Sequence, residues 1–203
     1  MKWFMKMNTP NKLTMCRMFC VIIMVILAVI DFYWVDSSIL IFGASYSIFR
    51  LFILIVFTFG SITDYLDGSI ARKYNLVTTF GKFMDPIADK MLVNSLFIIL
   101  TGFGEIPWVL TLIFIARDLF VDSIRMICTE KQVVIAASNF GKLKTVLQMI
   151  SQIAILVLFP FGYIYQVISI VLVGAAALVS LMSGIDYFIK NKKILLEGAN
   201  YNG

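Results

Sequence analysis

The chain contains no histidine among its 203 residues. That removes the usual general base near neutral pH and the commonest metal ligand, so any chemistry falls to carboxylates, cationic groups or thiols. Charge is scarce too: 14% of residues are Asp, Glu, Lys or Arg, against roughly a quarter in soluble domains. The three cysteines, Cys16, Cys20 and Cys128, have no CxxC spacing, which argues against a zinc or redox site and for small buried apolar residues. No low-complexity linker or internal repeat is visible. The net charge of +5 comes without a basic run interleaved with aromatics, so it points to anionic lipid headgroups rather than nucleic acid. What is abundant is apolar: 61% of the residues are hydrophobic and mean hydropathy is +0.94. A soluble enzyme, a disordered tail and a disulfide-stapled secreted module are excluded. Six helices of about 20 residues would use roughly 120 residues, close to the hydrophobic share.

Apolar segments fall at about residues 13–30, 47–66, 82–103, 107–128, 144–159 and 163–189. They predict an all-α integral membrane protein, a single six-span catalytic domain over 1–203 with a short juxtamembrane segment at 1–12. Lysines before the first apolar stretch mimic a signal peptide, but no small-x-small cleavage site follows, so the stretch reads as a retained first helix. If the odd-numbered loops face outward, they hold one cation, Arg50, against Asp31, Asp36 and Glu105. The other sixteen of seventeen Lys and Arg residues lie on the opposite side. This positive-inside pattern puts both termini in the cytoplasm, with the chain in the cell membrane.

Three charge-free runs are too short to cross a bilayer: 51–63, 91–104 and 106–116. The second, third and fourth helices must therefore carry charges such as Asp64, Asp89, Arg117, Asp118, Asp122 and Arg125 at headgroup depth or below. Ionised groups there need a hydrated cavity or a counter-ion. A polar, metal-filled cavity open to the cytoplasm is the expectation before any motif is named.

The densest acidic segment runs Asp64-Tyr-Leu-Asp67-Gly68-Ser-Ile-Ala71-Arg72 and, after eight residues, Gly81-Lys-Phe-Met-Asp85-Pro-Ile-Ala-Asp89. Asp64 and Asp67 are i,i+3 helical neighbours, and Asp85 and Asp89 are i,i+4 neighbours. A short turn between the helices lets the two carboxylate faces meet. Hard divalent cations, Mg²⁺ or Mn²⁺, compensate such a set because they take oxygen ligands and bridge phosphates. Gly68, Ala71 and Gly81 are small enough for close ligand approach, and Arg72 suits phosphate. Together these residues describe a pocket for a metal-bound diphosphate.

The segment DxxDGxxAR-x8-GxxxDxxxD resembles the signature of the CDP-alcohol phosphatidyltransferase family at every defined position. Supporting likeness lies in Thr9-Pro-Asn-Lys-Leu-Thr-Met-Cys-Arg17, Ile115-Ala-Arg-Asp118, Gly141-Lys-Leu-Lys-Thr145 and Ser183-Gly-Ile-Asp-Tyr187. The resemblance implies that Asp64, Asp67, Asp85 and Asp89 hold two divalent cations. It implies that Asp67, Gly68, Ala71, Arg72 and Gly81 line the CDP-lipid pocket, and that Asp89 is the general base. Within the family, the likeness is to the branch that joins CDP-diacylglycerol to glycerol-3-phosphate.

An acceptor with its own phosphate needs a second cationic cluster, for which the candidates are Arg117, Arg125, Lys142 and Lys144. Arg17 and Asn11-Lys12 are further residues for the same neighbourhood. The small residues Gly174-Ala-Ala-Ala177, Ser180 and Gly184 permit close helix contact, inside the chain or in the homodimer that the resemblance implies. Two alternatives stay open. A sister transferase using inositol phosphate, serine or phosphatidylglycerol would keep all eight motif residues. A divalent-cation transporter would explain the acids but not Gly68, Ala71, Arg72 and Gly81 at fixed spacing.

Overall fold

The computed structural model describes residues 8–34, 38–73, 78–131 and 139–196; the side chains of 64–73, 79, 82, 139, 140, 142 and 193–196, and that of Trp34, are outside this description. Among the described residues there are six α-helices. They are α1 (Thr9–Trp34), α2 (Ile48–Lys73), α3 (Thr79–Gly102), α4 (Trp108–Glu130), α5 (Asn139–Leu158) and α6 (Tyr163–Leu196). A hairpin, β1 (Ser38–Ile41) and β2 (Ala44–Ser47), joins α1 to α2, and a 3₁₀ turn at Phe159–Phe161 joins α5 to α6.

Each helix covers one expected apolar segment, but the ends differ. The first starts at Thr9, inside the stretch expected to precede it, and α2 runs on to Lys73. Hydropathy marks the apolar part of a helix, whereas backbone hydrogen bonding continues into the charged turns beyond it. Pro10 is tolerated in the first turn of α1, where an amide N–H has no intrahelical acceptor.

The hairpin corrects the expectation of a plain loop. Ile41 pairs with Ala44, leaving a two-residue turn in which Phe42 and Gly43 have φ of 50° and 83°. Positive φ at both central positions is the geometry that matches strand twist. The Tyr46 hydroxyl donates to the Val157 carbonyl at 2.5 Å, and its ring meets Phe161 edge-on, so the hairpin docks on the turn between α5 and α6.

Helix α1 packs against α2 and α3, while α6 packs against α4 and α5. Between these groups lies a dry layer containing Phe57, Leu96, Phe97, Phe114 and Ile155, all fully buried. Phe97 and Phe114 stack at 4.4 Å. Gly60 fixes the approach of α2 to α3: a Cβ there would lie 2.9 Å from Leu92 Cδ2. Gly60 sits thirteen residues before the end of α2 and Leu92 thirteen after the start of α3, the register of an antiparallel pair. The small residues of α6 are used inside the chain, since Ala176, Ala177, Ser180 and Ser183 are buried.

Among the described residues, three segments are long and apolar enough to cross a membrane: Thr9–Tyr33, Leu143–Phe161 and Tyr163–Lys192. The outward faces of α3 and α4 are also apolar, with Phe83, Ile98, Leu112, Leu119 and Met126 exposed.

At the end of the bundle that carries the hairpin, Arg50 bonds Asp31 on α1 and Glu105 in the α3–α4 loop. Its guanidinium lies 4.4 Å from the Phe103 ring centroid, and Ser47 donates to Asp31. Burial pushes the Glu105 carboxyl up from 4.5 to about 7, with Arg50 pulling it back and Asp31 adding repulsion. The folded chain thus binds more protons than the unfolded chain between these values, so this group's contribution to stability declines as pH rises from 4.5 to about 7. With no histidine in the chain, few other groups titrate in that window. The apparent Tm of the detergent-solubilised chain should fall from about pH 5 to 8, and Glu105→Gln should flatten the fall. Equal slopes in both proteins, read by a thermal-shift assay, would remove Glu105 as the cause.

Candidate active site

The site begins with a polar stripe on α1. Asn11, Thr14 and Arg17 are spaced by three, so they share one helix face, and all three are buried. This face meets the first turns of α3. Thr78 caps α3, its Oγ1 accepting from the Gly81 amide at 3.0 Å and donating to Asn11 Oδ1 at 2.9 Å. Thr14 donates to Asp85 Oδ1, and Arg17 forms an ion pair with Asp89. A Cβ on Gly81 would stand 3.1 Å from Asn11 Oδ1 and 3.5 Å from Asp85 Oδ2. Gly81 was expected to keep a ligand pocket open; the structure gives it the further duty of admitting α1 against α3.

Asp85 and Asp89 are half-buried and one turn apart on α3. The side chains of Asp64, Asp67, Gly68, Ala71, Arg72 and Lys142 lie outside the described residues. The backbone still limits where the α2 acids can be. The antiparallel register through Gly60 and Leu92 carries the α2 positions of Asp64 and Asp67 to the level of Asp89 and Asp85. Four aspartates at these positions, with no histidine or cysteine among them, are the residue type that suits a hard divalent cation. Among the described residues alone, no group of three acidic, histidine or cysteine side chains forms a metal cluster.

Beside Asp89 opens a cavity of about 280 Å³ between α3, α4, α5 and α6. It brings Asp89 together with three of the four expected phosphate-binding cations, Arg117, Arg125 and Lys144. Their environments differ. Asp118 lies between Arg117, at 3.1 Å, and Lys144, at 2.5 Å. Arg117 also donates to the Ser180 carbonyl at 3.2 Å and to Ser183 Oγ at 2.7 Å. Gly184 makes room for it, since a Cβ there would lie 3.2 Å from Arg117 Cγ. Lys90 pairs with Asp122 across the opening. Arg125 is exposed, with no ion pair among the described residues. Of the cavity cations, Arg125 is the one left to meet an incoming anion.

Sequence reasoning counted Asp118 and Asp122 only as charges in need of a cavity. Their i,i+4 spacing beside Arg117 and Arg125 was the available signal, but pairing across helices is invisible in one sequence. Thr14 was missed because the helix around it reads as a membrane span. Arg17, expected in the neighbourhood of the acceptor phosphate, contacts Asp89 at the cavity wall.

The CDP-alcohol phosphatidyltransferase family profile matches residues 7–182. The chain belongs to this family. It is 35% identical over 189 residues to a Bacillus subtilis protein named CDP-diacylglycerol–glycerol-3-phosphate 3-phosphatidyltransferase, covering 93% of this chain and 97% of the relative. A Rickettsia typhi protein of the same name is 36% identical, covering 89% and 95%. A Mycobacterium tuberculosis probable phosphatidylglycerophosphate synthase is 39% identical over 145 residues, 71% of this chain and 68% of the relative. The family match encloses the acidic segment, the polar stripe of α1 and most of the cavity wall, with Tyr187 just beyond it.

Asp118 and Lys144 are buried and Asp118 neutralises both Lys144 and Arg117, so removing it leaves like charges facing each other. Asp118→Ala should cost about 3 kcal/mol of stability, seen as a lower midpoint in denaturant unfolding of the detergent-solubilised chain. A midpoint within error of the parent would mean that Arg117 and Lys144 do not depend on it.

Proposed function

We propose that this chain transfers the phosphatidyl group of CDP-diacylglycerol to glycerol-3-phosphate, giving phosphatidylglycerophosphate and CMP in acidic phospholipid synthesis. The observation that carries the reading is one cavity holding both an aspartate of the family signature, Asp89, and Arg125, a cation with no ion pair among the described residues. Relatives aligned over nearly the whole chain bear the name of that reaction. The cavity volume is below the usual range for drug-sized ligands, as suits a three-carbon acceptor.

Asp64, Asp67, Asp85 and Asp89 would hold two divalent cations, Mg²⁺ or Mn²⁺, which would supply charge neutralisation for the diphosphate. Asp67, Gly68, Ala71, Arg72 and Gly81 form the wall for the cytidine diphosphate. Arg125, with Lys142 and the paired Arg117 and Lys144 behind it, grips the acceptor phosphate. Asp89 takes the proton from the primary hydroxyl of glycerol-3-phosphate. The hydroxyl oxygen then bonds to the phosphorus that bears diacylglycerol, and the bond from that phosphorus to the CMP oxygen breaks. Arg17 holds the Asp89 carboxylate in place by their ion pair, and Thr14 holds Asp85 by donating to its Oδ1. In-line positioning and electrostatics supply much of the rate, as in other phosphoryl-type transfers.

All six helices span the cell membrane as one catalytic domain, with termini and site on the cytoplasmic side. The lysine- and arginine-rich ends beside the cavity, and the apolar outer faces of α3 and α4, support this arrangement. A homodimer would join through a face other than the buried small residues of α6. The dry layer of Leu96, Phe97 and Phe114 separates the cavity from the Arg50 cluster, which argues against a cation path through the bundle.

Purified chain in vesicles with CDP-diacylglycerol and Mn²⁺ should release CMP on addition of glycerol-3-phosphate, and not with serine or inositol phosphate. Release only with one of the latter would overturn the acceptor assignment. Asp89→Asn should lower turnover about 10²–10⁴-fold, the usual contribution of a general base; near-normal turnover would remove it from that role. Arg125→Ala should raise the KM for glycerol-3-phosphate about tenfold or more, the loss of a charge-assisted hydrogen bond. An effect confined to CDP-diacylglycerol would move Arg125 to the other pocket.

A further inference from the structure

Two polar atoms among the cavity-lining residues lack partners. Gln148 is 1% exposed and Tyr187 is 5% exposed, and both line the cavity. Neither Gln148 Nε2 nor the Tyr187 hydroxyl has a hydrogen-bond partner among the described residues. Buried donors are rarely left unpaired without a ligand or a water to receive them. Asn94, Gln152 and Ser180 also carry an unpartnered atom, but they do not line this cavity.

The other polar groups of the cavity are already committed. Asp118 holds Arg117 and Lys144, Lys90 holds Asp122, and the proposed function assigns Arg125 and Asp89 to the phosphate and the attacking hydroxyl. Thr145 donates to the Gly141 carbonyl, so Gln148 and Tyr187 are the neutral donors left without a partner among the described cavity residues. Gln148 lies one turn along α5 from Lys144. Tyr187 comes from α6 and packs against Val121 and Ile124 of α4, next to Arg125 in sequence. They approach the cavity from two different helices. A neutral donor next to charged neighbours discriminates for an uncharged oxygen of the ligand, because a site built to bond a hydroxyl rejects an analogue that lacks it.

We propose that Gln148 and Tyr187 are specificity-determining residues that hydrogen-bond the non-reacting hydroxyl of a small phosphorylated polyol acceptor. The inference rests on the transferase reading and adds to it the recognition of the uncharged part of the acceptor. Phosphate charge selects for any phosphorylated alcohol; these two side chains select among them.

The test compares glycerol-3-phosphate with 3-hydroxypropyl phosphate, which lacks only the secondary hydroxyl. CMP release is measured with the full chain in vesicles containing CDP-diacylglycerol and Mn²⁺. The parent should prefer glycerol-3-phosphate by about tenfold or more in kcat/KM. Gln148→Met, Tyr187→Phe and their combination should bring this ratio toward one, with the KM for CDP-diacylglycerol unchanged. The ratio does not depend on how much protein is folded, and Tyr187→Phe removes a single oxygen while keeping the ring. Turnover with the parental ratio in every variant would overturn the inference alone. No CMP from either acceptor with the parent chain would overturn the transferase reading and the inference with it.

Discussion

An ionised side chain inside an apolar bundle persists only where an opposite charge or a ligand answers it. In this chain the answering groups come from different helices. Arg17 of α1 meets Asp89 of α3, Lys90 of α3 meets Asp122 of α4, and Lys144 of α5 meets Asp118 of α4. Arg117 of α4 completes the circuit by bonding Ser183 of α6. The charges that build the cavity thus also connect five of the six helices around it. At the other end, Arg50 performs the same task for α1, α2 and the α3–α4 loop. Between the two polar ends the core is dry. Position in the bundle, rather than number, makes so few charges sufficient.

This arrangement separates two demands that a single helix would not meet. The acids at the signature positions lie at the junction of α2 and α3, steadied by the polar stripe of α1. The cations that line the cavity come from α3, α4 and α5. Asp89 belongs to both groups: it lines the cavity while its other side is held by Arg17. Asp89 thus joins the two halves of the site.

Much of this was legible in the sequence because helical spacing decided it. The i,i+3 and i,i+4 pairs of acids and the six apolar segments follow from the 3.6-residue period and from hydropathy alone. Other features were not, for physical reasons. The hairpin turns at Phe42-Gly43, and a Phe at positive φ is not among the residue pairs that signal such turns. Asn11, Thr14 and Arg17 sit in the first turns of a helix whose hydropathy hides them. Arg117 looked like a phosphate ligand by charge, yet three of its contacts are within the protein. Gln148 and Tyr187 carry no charge, and although Tyr187 closes a family-like segment, it is burial without partners that singles both out.

The central claim is that acids of α2 and α3 converge on divalent cations beside this cavity. Manganese titration of the purified chain in vesicles containing CDP-diacylglycerol, followed by electron paramagnetic resonance, tests it most directly. Two Mn²⁺ should bind per chain, and Asp85→Asn should lose at least one of them. An unchanged stoichiometry in Asp85→Asn, or no bound Mn²⁺ in the parent, would contradict it.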